Sequence, residues 1–106
     1  IGYTPEFQMV AWLHDVLEDG PGWTADRLHT EGFPPNVVQA VMDLTHLPQE
    51  SYDTYILRVR ENYLASSVKQ ADLKHNLSTS EDKHAKNKRI IWRLSLWILE
   101  HTTVRR

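Results

Sequence analysis

Proline and glycine cut this 106-residue chain into short segments, and within each one the apolar residues recur three and four apart. Thr4-Pro5-Glu6 has the makings of a helix start: a capping hydroxyl, a proline at the first helical position and an acid in the first turn. Phe7, Val10, Ala11, Leu13, His14 and Leu17 then predict one helix that runs until Gly20-Pro21-Gly22 stops it. Thr24 caps a short helix through Leu28 that ends near Gly32. Phe33-Pro34-Pro35-Asn36 is a turn into a third helix, with Val37, Val38, Val41 and Leu44 on its apolar side. Valines also suit strands, but Gln39, Ala40, Met42 and Asp43 keep the helical period rather than alternation. Pro48 ends this helix, and Ser51 caps the next, which bears Tyr52, Tyr55, Ile56 and Val59.

After a break at Asn62-Tyr63, Leu64, Ala65, Val68, Ala71, Leu73 and Leu77 mark a further helix. Residues 78–83 read as a mobile loop, and a last helix follows from about Ala85 to Glu100. Its Ile90, Ile91, Leu94, Trp97 and Ile98 are expected to face inward, with Lys86, Lys88, Arg89 and Arg93 outward. The four tryptophans, Trp12, Trp23, Trp92 and Trp97, are expected to fill core volume. No segment alternates as a strand would. The fold class that follows is all-α: about five or six short helices around one core, in a single domain spanning residues 1–106.

Composition narrows the function. With no cysteine, the chain has no disulfide, thiolate metal site or cysteine nucleophile. The net charge of −2 and the lack of a basic stripe leave no electrostatic footprint for nucleic acid, and no helix reads as a basic recognition helix. No apolar run is long enough to cross a bilayer and no signal-peptide pattern opens the sequence, so a cytoplasmic protein is expected. The first residue is Ile1, not Met, which suggests that residues are missing upstream.

The chemistry gathers in Leu13-His14-Asp15-Val16-Leu17-Glu18-Asp19. On one continuous helix His14 would lie beneath Glu18, and Asp15 beneath Asp19. Three carboxylates at a helix C-terminus oppose its dipole unless a cation compensates. The plainer alternative is a histidine meeting that dipole beside solvated acids. Asp72 adds a carboxylate on a helix that looks largely buried, where it must be paired, protonated or metal-bound. Lys69 and Lys74 are its candidate partners. Imidazole plus carboxylates, without sulfur, suit manganese or iron(II), with zinc not excluded. Tyr52 and Tyr55 could stack a base, although packing is the simpler role, and His75 reads as a hydrogen-bonded core residue. The basic run Lys83, Lys86, Lys88 and Arg89 reads as a solvated face.

The ordered set LHDVLED, TADRL followed by EGF, ESYDTYILRV and VKQADLKHNLS resembles the HD-domain metal-dependent phosphohydrolases. It is similar in particular to their small stand-alone members, related to the hydrolase half of the RelA/SpoT proteins. The resemblance implies His14, Asp15 and Asp72 as metal ligands, and Glu18 and Asp19 as the acidic pair that handles the attacking water. It implies Lys69 and Asn76 as substrate-side residues. The implied cofactor is a divalent ion, manganese first, with Fe2+, Zn2+ or Mg2+ as alternatives. The implied substrate is a nucleotide polyphosphate, typically guanosine tetraphosphate cleaved at its 3′ pyrophosphate.

Two departures stand out. The first histidine ligand of that family lies on an earlier helix, which has no counterpart here, and His29, His46, His75, His84 and His101 all fall elsewhere in the order. The arginine usual after the distal Asp is Leu73, with Lys74 next. The first departure leads to the expectation of an incomplete N-terminus, weak metal binding and association with another copy through the face left open. The rival reading is a non-catalytic helical module with a degenerate metal site, serving in oligomerisation or partner binding.

Overall fold

Thr4 caps the first helix as its sequence requires: its Oγ1 accepts the Phe7 amide at 3.1 Å, and α1 runs Pro5–Leu13. The computed structural model describes residues 4–79 and 85–101, apart from the side chains of 85–87. Among these residues there are seven helices and no strand. After α1 come α2 (Val16–Asp19), α3 (Ala25–Thr30), α4 (Pro35–Leu44), α5 (Tyr52–Arg60), α6 (Tyr63–Thr79) and α7 (Ala85–His101). The all-α expectation is met. Thr24 and Ser51 cap α3 and α5 through their hydroxyls, each accepting the amide three residues on. Asn62 does the same for α6, its Oδ1 accepting the Ala65 amide at 3.0 Å.

The count exceeds the expected five or six because the first predicted helix is broken. α1 stops at Leu13, and His14 and Asp15 form a turn before the short α2. The expected stacking of His14 under Glu18 and Asp15 under Asp19 on one helix is therefore corrected. Apolar spacing could not show the break, because Leu13, Val16 and Leu17 all pack against the same core across it.

α6 is the central helix and packs against α1, α4, α5 and α7, while α3 lies on α4. Its buried residues include Ala65 and Ser66, small enough to let neighbouring helices come close, together with Val68 and Leu73. Val10, Leu28, Val37, Val38, Val41, Ile56, Val59 and Leu99 complete a core drawn from α1, α3, α4, α5 and α7. Fully burying an aliphatic side chain of this kind contributes about 1.5–3 kcal/mol.

α7 corrects another expectation. Ile90, Ile91, Leu94 and Trp97 are exposed; the face turned inward is Trp92, Ser95, Leu96, Ile98 and Leu99. Both faces are apolar at helical spacing, so period alone could not choose between them. Two tryptophans also leave the core, Trp12 at 84% exposure and Trp97 at 58%, whereas Trp23 and Trp92 pack against it. Of the segment read as a mobile loop, Ser78 and Thr79 belong to α6, and residues 80–83 lie outside the described residues. Within the basic run, Lys88 is exposed and Arg89 half-buried, its Nη1 donating to the Leu77 carbonyl at 2.8 Å. Lys83 and the Lys86 side chain lie outside the described residues. No helix among the described residues is long and apolar enough to cross a membrane.

Candidate active site

The turn that breaks the first predicted helix also builds the site. By ending α1 at Leu13, the chain turns His14 and Asp15 toward α6 and carries Glu18 onto a separate helical turn. These three residues line one wall of a cavity of about 170 Å³. Val68, Lys69 and Asp72 of α6 line the opposite wall. The end of α4, the connection after it and the start of α5 close it with Leu44, with His46, and with Tyr52 and Tyr55. Residues 54 positions apart in sequence thus meet because α1 and α6 pack together.

His14 is fixed by its own helix. Its Nδ1 lies 2.6 Å from the Ala11 carbonyl oxygen, which can only accept, so Nδ1 carries the proton. Nε2 of the neutral ring is then a bare lone pair, and it sits 3.2 Å from Asp15 Oδ2. A lone pair facing a carboxylate oxygen at that distance is repulsive unless a proton or a cation lies between them. Two donors of one divalent ion, each bonded at about 2.0–2.2 Å and at right angles, stand about 3 Å apart. A ring nitrogen held by a backbone carbonyl is also the usual arrangement behind a metal-ligating histidine.

On the far wall, Lys69 Nζ lies 3.4 Å from Asp72 Oδ2 and 5.5 Å from the centre of the Tyr55 ring. Lys69, not Lys74, is thus the partner of Asp72; Lys74 pairs with Glu100. Burial works against the Lys69 charge, but the Tyr55 and Tyr52 hydroxyls and the Asp72 carboxylate outweigh it and raise its pKa, so it is a cation at neutral pH. Burial pushes the Tyr55 hydroxyl up in turn, and that hydroxyl donates to the Leu44 carbonyl at 2.7 Å. The acid groups of Asp15, Glu18 and Asp72 and the one ammonium of Lys69 line the cavity beside two imidazoles. Acids that outnumber the one ammonium favour entry of a cation, and an anion would be drawn in best alongside one.

Five of the seven site residues expected from sequence therefore converge: His14, Asp15, Glu18, Lys69 and Asp72. Asp19 and Asn76 do not line the cavity; Asp19 is exposed at the end of α2 and Asn76 half-buried one turn beyond Asp72. His75 is exposed rather than a core residue. His46 lines the cavity although sequence order had set it aside. Its one signal was Pro48, which places it in a loop, where functional groups concentrate. His14, Val68 and Asp72 also border a mostly apolar hollow of about 230 Å³ with Phe7, Ala11, Ala71 and His75.

Among the described residues no three His, Asp or Glu side chains are grouped as a ready metal site. His14 and Asp15 fit a divalent ion as a donor pair. Further coordination would fall to Asp72 and solvent. No protein-family model matches the chain, and no curated protein matches it.

Proposed function

We propose that this chain carries the reaction centre of an HD-type metal-dependent phosphohydrolase, cleaving a phosphate or pyrophosphate ester of a nucleotide. The observation that supports it most is the meeting of His14, Asp15, Glu18, Lys69 and Asp72 around one cavity. Guanosine polyphosphates are the first substrates to test, on the strength of the sequence resemblance. A bound divalent ion, Mn2+ foremost, would polarise a phosphoryl oxygen and acidify the attacking water.

The chain's own groups divide the remaining work. His14 Nε2, Asp15 and Asp72 would hold the ion. Lys69, a cation in the wall, would attract a phosphoryl oxygen and place phosphorus in line with the water. Glu18 would accept the proton as the water oxygen bonds to phosphorus and the P–O bond to the leaving group breaks. Asp19, outside the cavity, would leave that role to Glu18 alone. A volume of about 170 Å³ suits a phosphoryl or pyrophosphoryl group, not a whole nucleotide, so sugar and base would lie outside the mouth.

The test is phosphate and pyrophosphate release from a panel of nucleoside polyphosphates with Mn2+, alongside metal analysis of the purified chain. Asp15→Ala and Asp72→Ala should each lower kcat/KM by about 100-fold or more, the scale seen when metal-site groups are lost. Unchanged hydrolysis in Asp72→Ala would refute the proposal. The lack of a ready three-donor group favours a second reading, a helical module without catalysis that serves in self-association or partner binding. Finding neither divalent-ion binding nor turnover of any phosphate ester would select it.

A further inference from the structure

Glu18 is gripped from across the cavity by a backbone group: its Oε1 accepts the His46 amide at 2.7 Å. One carboxylate oxygen is thereby fixed. His46 lies in the connection between α4 and α5, residues 45–51, which has no helix of its own. Such a segment holds one shape only if something orders it.

Glu50 and Arg58 do so. His46 Nε2 donates to the Glu50 carbonyl at 2.7 Å, and the Leu47 amide donates to Glu50 Oε1 at 3.2 Å. Arg58 clasps the same carboxylate with two parallel bonds, Nε to Oε2 at 2.9 Å and Nη2 to Oε1 at 2.7 Å. Its other donors reach the carbonyls that end α4: Asp43 at 2.9 Å, Met42 at 3.4 Å and Thr45 at 2.9 Å. All five N–H bonds of the guanidinium are used, two on the loop's carboxylate and three on the helix end from which the loop departs. Arg58 itself does not line the cavity.

We propose that Arg58 is a positioning residue for Glu18, acting through Glu50 and the His46 amide; this rests on the reading of Glu18 as the proton acceptor. With Oε1 held by that amide, Oε2 is the oxygen left to take the proton, and Arg58 sets its position from outside the cavity. At residue 46 the N–H is the group that holds Glu18, while the imidazole helps to order the loop through the Glu50 carbonyl. A lysine at position 58 cannot replace the arrangement, since an ammonium cannot make the paired bonds to Glu50.

The experiment has two arms on the intact 106-residue chain. In the first, amide hydrogen exchange at residue 46 is followed by NMR without substrate. Glu18→Ala and Arg58→Lys should each speed that exchange by about 10-fold or more, while the core amides of α6 keep their protection. In the second, with Mn2+ and a nucleoside polyphosphate, Arg58→Lys should lower kcat by about 10-fold, leaving KM and Mn2+ affinity within about 3-fold. His46→Pro, which lacks the N–H, should fall about 10-fold below His46→Ala, which keeps it. Thr45 is already extended (φ −83°, ψ 117°), as a residue before proline must be. Unchanged exchange at residue 46 in either first-arm variant overturns the proposal, as does a kcat loss in Arg58→Lys that comes with loss of metal affinity or of α6 protection. If the wild type hydrolyses nothing while the first arm gives the expected exchange, the phosphohydrolase reading falls and the link from Arg58 to Glu18 stands.

Discussion

Among the described residues, Glu50 is held furthest from the ordinary range of its side chain. The paired hydrogen bonds from Arg58 hold its carboxyl down at about 2, against an ordinary value of 4.5, with burial opposing and the Leu47 amide assisting. Arg58 is raised by the same pairing. The sign of the pH effect follows. A depressed folded-state pKa means that the unfolded chain binds the proton first, so the contribution of Glu50 is complete above about pH 4.5 and is lost as the pH falls toward 2. Thermal unfolding followed by circular dichroism should therefore show Glu50→Gln less stable than wild type at pH 7. The gap should close steadily between pH 4.5 and 2. A gap that stays constant over that window would mean that Arg58 does not hold Glu50 ionised.

At the scale of elements, the junction from α1 to α2 decides whether there is a site at all, and Gly20 limits its far end. A Cβ built at Gly20 would lie 2.7 Å from the Val16 carbonyl oxygen and 3.1 Å from the Trp23 ring. Since the nearest atom is backbone, the turn itself must move. Gly20→Ala should cost about 1–3 kcal/mol in chemical denaturation. Because the displaced turn carries Glu18, it should also release the His46 amide, read as faster exchange there.

Much of this layer was legible beforehand. Thr4, Thr24 and Ser51 marked three helix starts, and Asp72 beside Leu73 marked the polar edge of a buried helix. Three features were not legible, each for a physical reason. The break at His14–Asp15 leaves the apolar rhythm unchanged. α7 is apolar on both faces, so its inward side is set by the neighbouring α5 and α6. The His46–Glu18 contact joins a backbone amide to a carboxylate 28 residues away, and an amide has no signature in sequence.

For the whole molecule, the two walls of the cavity belong to different parts of the chain, and core packing of α1, α4 and α6 against one another holds them together. Unfolding separates the walls, so an ion that needs both binds the folded state alone and must stabilise it. At a free concentration 100 times its Kd the gain is about 2.7 kcal/mol. For a domain of this size that corresponds to a rise in Tm of roughly 10–20 °C. Mn2+ added to metal-stripped protein should therefore raise Tm in a concentration-dependent way, and Asp72→Asn should remove most of the rise. The same substitution should alter the metal-free Tm much less, because the carboxylate it removes is partly exposed and its contact with Lys69, at 3.4 Å, is one of modest strength. A Tm that ignores Mn2+, or a rise that survives Asp72→Asn, would show that the two walls do not act on one ion.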